Sequence, residues 1–380
     1  WRSECEERGL TRSVPCTMRV PLVELRRRED GRTEYRFATP SNGGHPQMSQ
    51  LAALFRSWRA DAATSDTSHV EIRAVGDGKG LGLFARRAFT VGECIVSERP
   101  LLRWSSDDHG GCTQITNAWL QRMLARLPAD DRAAYIALCS APAHADKGRA
   151  LAIWICNAYP AEPDSGSSDA LSAAVYRVAS RINHACLPNA AQAWNRELRR
   201  ITFQAVRPIA PGDEITASYL GGAGASLTRD ERQAELRNLG FECACALCAR
   251  AESDARAEIS DARRARIALL RAQLEAERLA GKGSARTYGQ CCGMLDELLR
   301  LLREEGIADA WAHGDVLNLM MKAWKVGERE ACAAWTDRWA ASMRILTGDD
   351  ADVGSMMTRA VAEACEPVGA AASVDSKEIE

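Results

Sequence analysis

Three cysteines within six residues place the strongest constraint on how this chain folds. The segment FECACALC contains Cys243, Cys245 and Cys248 in a C-x-C-x-x-C pattern. Thiolates at this spacing can converge on one metal ion, but tetrahedral zinc takes four ligands, so one ligand must come from elsewhere. Two other interpretations stay open. The cysteines could cluster by chance, or form a redox C-x-x-C, although no thioredoxin-like βαβ pattern surrounds them. The pattern favours structural zinc.

A second polar motif, RINHACLPNA, lies upstream of these cysteines and contains Asn183, His184 and Cys186. Cys186 is the best candidate for the missing zinc ligand, although spacing alone does not prove it. Taken alone, His184 is a general base, a ligand or a buried structural histidine, and the structural interpretation is the commonest. Residue type alone does not decide between these roles.

The glycine-rich segment GKGLGLFA, residues 78–85, fits the nucleotide-binding pattern G-x-G-x-x-A when read literally. That fingerprint requires a strand before it and a helix after it, whereas β-prone sequence and another glycine turn follow here. A hairpin turn is the simpler interpretation, although tight glycines also let backbone approach a ligand closely. Downstream, Tyr219 ends the segment EITASY and, taken alone, is a packed strand tyrosine.

Composition excludes several classes of function. The chain has 380 residues, 46% hydrophobic and 26% charged, with a formal net charge of −2. This charge gives no general attraction to nucleic acid, so no direct nucleic-acid partner is expected. No run approaches the ~18 apolar residues of a membrane span, so no membrane partner is expected either. Fourteen unevenly spaced cysteines favour a reducing compartment, the nucleus or cytoplasm, over a small disulfide scaffold.

Patterning along the chain predicts five segments. Short β-prone runs and glycine turns indicate a β-rich domain interrupted by a helical insert. The last large segment is helix after helix, each ending near a glycine, which is typical of helical-hairpin (TPR-like) pairs. The segments are a poorly ordered N-terminal region 1–68, the β-rich domain 69–220 with its insert at about 114–178, a cysteine segment 221–250, a helical domain 251–365 and a disordered tail 366–380.

In this order the motifs resemble those of the SET-domain protein lysine methyltransferases. GKGLGLFA resembles the first family motif, RINHACLPNA the Asn-His-Ser-Cys-x-Pro-Asn motif, GDEITASY the final strand with its tyrosine, and FECACALC the cysteine-rich post-SET segment. The insert and helical region resemble fungal SET-domain proteins related to the SET-and-MYND branch, without the MYND module. The implied fold is α+β: a β-rich SET fold with a pseudoknot and helical insert, a zinc-binding post-SET segment and an all-α C-terminal helical-hairpin domain.

The resemblance implies a site for S-adenosylmethionine and a structural zinc ion. It assigns the amino-acid end of the cofactor to the backbone of the first motif, the adenine side to the Asn-His pair, and catalysis to Tyr219. Phe241 is implied to stack near the adenine or to wall the lysine channel. The implied cofactor residues are Lys79, Gly80, Leu81, Gly82, Asn157, Ser180, Asn183, His184, Tyr219 and Phe241. The implied zinc ligands are Cys186, Cys243, Cys245 and Cys248.

The implied activity is S-adenosylmethionine-dependent methyl transfer to a lysine side chain of a histone or other protein. A protein substrate is the expected partner, and a monomer is the expected state. The alternative is an inactive SET-domain protein that binds partners through its helical C-terminal domain. A zinc-stapled nucleic-acid binder is disfavoured by the near-neutral charge. Leu239 stands near where related enzymes carry a second channel tyrosine, and Ala185 replaces the usual serine. The number of methyl groups transferred is therefore left open.

Overall fold

The computed structural model describes residues 22–27, 33–38, 67–76, 80–106, 115–161, 172–195, 198–249, 255–280 and 286–348. Within these ranges the strands are β1 Leu22–Arg27, β2 Thr33–Ala38, β3 Val70–Ala74, β4 Leu81–Ala85, β5 Cys94–Glu98, β6 Leu102–Ser105, β7 Tyr159–Pro160, β8 Ser172–Val175, β9 Asn183–His184, β10 Ala190–Asn195, β11 Arg200–Ala205 and β12 Glu214–Ala217. The α-helices are α1 Asn117–Arg126, α2 Ala129–Ile136, α3 Arg149–Asn157, α4 Arg229–Asn238, α5 Ala255–Ala280, α6 Tyr288–Glu304, α7 His313–Val326 and α8 Arg329–Thr347.

One small sheet brings the sequence motifs together. Its strand order is β3-β4-β12-β9, so the glycine motif on β4 lies beside the final strand β12. Strand β9 runs parallel to β12 and pairs Asn183 with Thr216 and His184 with Ala217. The resemblance predicts that residues 181–190 and 213–219 lie side by side, and this pairing confirms it. The threading of one segment under a loop stays a prediction.

A second sheet, β10-β11-β5, supplies much of the apolar core. Strand β11 is buried at every position because strands flank it on both sides. Its Ile201 and Phe203 pack with Ile95, Ile182 and Ile215 from three other segments. This core fixes the backbone that leads into strand β9.

The insert folds as three short helices, as predicted. Thr116 caps α1 by accepting a hydrogen bond from the Trp119 amide at 3.2 Å, which satisfies one of the amides at the helix start. Leu120 and Leu124, four residues apart, bury one face of α1 against a core that includes Ile153 of α3. Strand β8 then returns the chain to the sheet β6-β8-β7.

Helices α5 to α8 form a second apolar core. Leu295, Leu298, Met320 and Trp339 are buried together within it. Helix α7 ends at Gly327, whose φ of 87° is the left-handed conformation that closes a helix without strain in a residue lacking Cβ. The predicted helices are therefore present, and their arrangement as TPR-like hairpins stays a prediction.

The N-terminal region contains a hairpin that sequence reading did not predict. Strands β1 and β2 pair antiparallel with Leu25 opposite Tyr35, inside the region expected to be poorly ordered. The alternating residues of TEYRFA carry this signal, which nearby charged and glycine residues obscure. The turn of helix expected near SQLAALFRSWRA and the tail at 366–380 lie outside the described residues. No helix in the described part of the chain is long and apolar enough to cross a membrane.

Candidate active site and metal centre

Four cysteine sulfurs converge where strand β9 meets the segment after α4. The Sγ atoms of Cys186, Cys243, Cys245 and Cys248 all lie within 4.8 Å of one another. The Cys186 sulfur is 3.4 Å from that of Cys248 and 3.9 Å from that of Cys243. The structure thus brings together all four predicted ligands, which are separated by 57 residues at the widest gap between motifs.

These residues fit a tetrahedral zinc ion. Sulfurs bound to Zn²⁺ at about 2.3 Å lie about 3.8 Å apart in a tetrahedron, and two of the separations observed here are 3.4 and 3.9 Å. Three of the four side chains are buried, and Leu236 and Leu247 pack around them. The pKa of the Cys248 thiol is lowered to about 7 by its hydrogen bond with Cys186. An all-thiol, closed donor set of this kind is typical of a structural rather than a catalytic zinc site.

His184 connects the cysteine cluster to Tyr219. Its Nδ1 accepts a hydrogen bond from the Tyr219 amide at 3.1 Å, and its Nε2 lies 3.4 Å from the Cys186 sulfur. Burial lowers the pKa of His184 to about 4, so the ring is neutral near pH 7. Since both ring nitrogens contact protein, any contact of His184 with a cofactor must come from its backbone or ring face.

Asn183 joins the glycine motif to the final strand. Its side-chain amide donates to the Leu81 carbonyl at 3.2 Å and to the Glu214 carboxylate at 2.8 Å. A Cβ atom on Gly82 would lie 2.5 Å from Val75 Cγ2, 2.7 Å from the Glu214 carboxylate and 2.9 Å from the Asn183 amide, so any other residue here would displace these side chains. Gly80 has a φ of 78°, the left-handed region that glycine enters without strain. The backbone of residues 80–82, together with Asn183 and Glu214, is called the glycine cradle below.

Two tyrosine hydroxyls converge on one carbonyl oxygen. Tyr219 donates to the Ile182 carbonyl at 2.9 Å, and Tyr159 donates to the same carbonyl at 3.3 Å. Their rings meet edge to face with centroids 6.3 Å apart. Burial raises the pKa of both hydroxyls, so both stay protonated at neutral pH. Tyr219 lies two residues beyond the end of β12 rather than on the strand, because its amide bonds to His184 instead of continuing the ladder.

Phe241 completes an aromatic cluster with His184 and Tyr219. Its ring centroid lies 6.1 Å from each of the other two rings. It is two residues before Cys243, so its position depends on the cysteine segment. The structure thus places Phe241 beside Tyr219, whose catalytic role stays a prediction.

The remaining predicted cofactor residues are used differently. Asn157 is buried, and its amide donates to the Cys139 and Ile153 carbonyls at 2.7 and 2.6 Å. The Ser180 hydroxyl donates to the Asn157 carbonyl at 2.9 Å, so the two residues form one internal network. Contacts of Asn157 and Ser180 with a cofactor stay predictions. The remaining predicted cofactor residue, Lys79, lies outside the described residues.

Two residues of the site escape sequence reasoning. Tyr159 is far in sequence from Tyr219, and only the fold brings their hydroxyls to one carbonyl. Glu214 belongs to the PGDE turn, which indicates a strand start and gives no signal of the Asn183 contact. Tyr159 does follow directly on the CNA sequence that contains Asn157, which was the one available hint.

Comparison with known proteins agrees with this geometry. Residues 80–220 match the SET domain family, a range that contains the glycine cradle, Asn183, His184 and Tyr219. The matched range lies within the β-rich domain predicted at 69–220. The link to the SET-and-MYND branch stays a prediction.

Two curated relatives are similar over part of their length. One is "Histone-lysine N-methyltransferase set5" of Schizosaccharomyces pombe, 31% identical over 50% of this chain. The other is "Histone-lysine N-methyltransferase ATXR2" of Arabidopsis thaliana, 38% identical over 20% of this chain. The matches span 53% and 16% of those relatives. A solved structure of an active polycomb repressive complex 2 aligns over 78% of this chain and 34% of its own, at 15% identity and a TM-score of 0.24, which is too low to support a conclusion.

Proposed function

We propose that this chain is an S-adenosylmethionine-dependent protein-lysine N-methyltransferase. The observation that carries the proposal is the convergence of three motifs: the Asn183 amide bonds the carbonyl of Leu81, and the Tyr219 amide bonds His184. The SET domain match and the names of the two relatives support it. A histone is the substrate class those names suggest, and a nuclear or cytoplasmic location follows from it.

The cradle around Gly82 is the proposed cofactor site. S-adenosylmethionine supplies a methyl group on a positively charged sulfur. The backbone of residues 79–82 would hold its amino-acid end, while Asn183, His184 and Phe241 would hold the adenine side. Asn157 and Ser180 are proposed as further contacts through the network they share. Tyr219 belongs to the aromatic cluster, in contact with His184 and Phe241.

The aromatic cluster is the proposed lysine channel. A lysine amine must be neutral to act as a nucleophile, and burial beside a positive charge lowers its pKa. The protonated Tyr219 hydroxyl would orient the amine through a polar contact rather than act as a base. Alignment of the reacting atoms is worth several kcal/mol, on the order of 7 or more when the geometry is good. Transfer would form a bond between the lysine nitrogen and the methyl carbon and break the cofactor's sulfur–carbon bond, and the proton released by the methylated amine would pass to water.

The alternative, an inactive SET-domain protein that acts as an interaction module through its helical region, is not favoured. Both curated relatives carry the names of methyltransferases. The tyrosine, asparagine and glycine positions that a methyltransferase requires also lie together here. A loss of cofactor binding in the intact chain would reverse this preference.

Calorimetric titration with S-adenosylmethionine tests the proposal. We expect micromolar binding by the folded, zinc-loaded chain and a loss of at least about tenfold in affinity for Asn183→Ala, because the change removes the amide that positions the Leu81 carbonyl. Asn318→Ala in α7 is the matched control and should bind as the wild type does. Absence of binding by the folded wild-type chain would point to the interaction module.

A second prediction concerns Tyr159. We expect Tyr159→Phe to change turnover by less than about tenfold, because Tyr219 keeps its hydroxyl, and to increase the proportion of more highly methylated lysine. Loss of the second hydroxyl opens room beside the amine and removes a partner that limits its rotation. Mass spectrometry of a methylated histone peptide measures the product distribution.

The matched control for this prediction is Tyr176→Phe. Tyr176 is equally buried, its ring lies 6.5 Å from that of Tyr159, and its hydroxyl has no hydrogen-bond partner among the described residues. An unchanged product distribution in Tyr159→Phe, or an equal change in the control, would contradict the role of Tyr159.

A further inference from the structure

A fully buried arginine lies against the cysteine cluster. Arg232 of α4 is 1% exposed, and its Nη2 donates to the Cys248 sulfur at 3.8 Å. Its Nη1 donates to the Leu227 carbonyl at 2.7 Å, while its Nε has no partner among the described residues. No carboxylate is paired with it in the described ion pairs. Among the described side chains, the group that the guanidinium contacts directly is therefore the Cys248 sulfur.

A second buried arginine approaches the same cluster from the helical domain. Arg264 of α5 is fully buried, and its Nε donates to the Glu305 carboxylate at 3.2 Å. Its Nη1 donates to the Gly224 carbonyl at 2.9 Å, and its Nη2 has no partner among the described residues. The pKa of Arg264 is lowered by burial and by the charge of Arg232, and raised by the charges of Glu305 and Cys186. The two arginines and the cysteines thus share one electrostatic environment.

Negative charge on the cysteines would offset the excess of buried positive charge beside them. Arg232 and Arg264 face one buried carboxylate, that of Glu305, which Arg263 also contacts, so four neutral thiols would leave positive charge uncompensated. An uncompensated buried charge costs several kcal/mol. A Zn²⁺ ion with four thiolates carries about two net negative charges, which supplies the missing counter-charge. The arginines, in turn, offset the negative charge that thiolates bring into an apolar environment.

We propose that Arg232 and Arg264 are the counter-charges of a metal–thiolate centre and that, through them, the centre holds helix α5 against the SET core. Arg232 acts directly on the Cys248 sulfur, and Arg264 joins the same charge network to the helical domain. The packing of Leu187, next to Cys186, on the core of the helical domain gives the connection a second contact. The proposal concerns metal affinity and helix docking, so it does not depend on methyltransferase activity.

Zinc affinity measured by competition with a chromophoric chelator tests the charge role. We expect Arg232→Met to weaken zinc binding by about tenfold or more, as removal of groups that contact metal ligands does elsewhere. Arg232→Lys keeps the charge and should stay much closer to the wild type. Arg266→Met, an exposed arginine of α5 paired with Glu297, is the matched control and should bind zinc as the wild type does. In the cobalt-substituted protein, the thiolate-to-metal absorption should shift in Arg232→Met alone among these three.

Arg264→Met tests the other half of the network on a different helix. We expect weaker zinc binding, and faster amide hydrogen exchange in residues 255–280 with helices α7 and α8 unchanged. Chelation of zinc from the wild-type protein should produce the same exchange pattern. Wild-type zinc affinity in both methionine variants would overturn the proposal. Equal weakening by Arg232→Lys and Arg232→Met would also overturn it, because shape rather than charge would then be responsible.

Discussion

Replacing Tyr219 by Phe is expected to slow methyl transfer by at least about 100-fold while S-adenosylmethionine affinity stays within about threefold of the wild type. The change deletes one oxygen atom and keeps the ring that packs against Tyr159 and Phe241. If the hydroxyl orients the lysine amine, its loss lowers kcat but leaves the affinity for S-adenosylmethionine nearly unchanged. Single-turnover transfer to a histone substrate and calorimetry on the same preparation measure the two quantities.

The size of this effect follows from where the hydroxyl lies. Its pKa is raised by burial, so it is a fixed, protonated donor and acceptor, and the Ile182 carbonyl holds it in one orientation. A dipole held in a dry environment stabilises developing charge far better than mobile water does. Phenylalanine at this position has no polar atom that could replace the hydroxyl.

Tyr135→Phe is the matched control. Tyr135 is also buried, and its hydroxyl also donates to a backbone carbonyl, that of Ala150, at 2.8 Å. Both variants lose one buried hydrogen bond, worth about 1 kcal/mol of stability. Only Tyr219→Phe changes the proposed site. Wild-type turnover in Tyr219→Phe, or an equal loss in Tyr135→Phe, would exclude the catalytic role.

Sequence reasoning succeeded where the relevant signal is local or ordered along the chain. The glycine turn, the Asn-His pair and the cysteine run each carry a residue pattern, and their order predicted that Cys186 completes the cluster. The helices α5 to α8 follow from apolar spacing and terminal glycines. The pairing of β9 with β12 was predicted from the family resemblance, because no residue pattern in either strand indicates its partner.

The features that sequence reasoning missed depend on tertiary structure. Arg232 belongs to RDERQAELRN, whose charge is typical of an exposed helix, yet it is buried because the cysteine cluster packs over it. Tyr159 gains its significance only when Ile182 brings a second hydroxyl beside it. Strand β12 ends before Tyr219 because the Tyr219 amide donates to the His184 ring instead of to a backbone carbonyl of the neighbouring strand. In each case a long-range contact overrides the local pattern.

Removal of the metal is expected to abolish methyl transfer before the protein unfolds globally. The metal would tie the loop of residues 243–248 to Cys186, and Phe241 is two residues from the first of these ligands. Structural zinc contributes on the order of 10 kcal/mol to the order of such segments. Without it, Phe241 loses its fixed position beside His184 and Tyr219, so the aromatic cluster opens. Titration with a chelator, followed in parallel by activity, circular dichroism and zinc release, should show activity falling with zinc while helicity persists.

Cys248→Ala isolates the same effect in a single side chain. Loss of one of four ligands is expected to weaken zinc binding by more than about 100-fold and to reduce activity to the same level as chelation does. Cys332→Ala is the matched control, because Cys332 is a buried thiol in α8 whose loss removes packing and no ligand. The control should keep both zinc and activity. If metal-free protein methylates at the wild-type rate, the cysteine cluster does not position Phe241. The aromatic cluster would then be held in place by the apolar core alone.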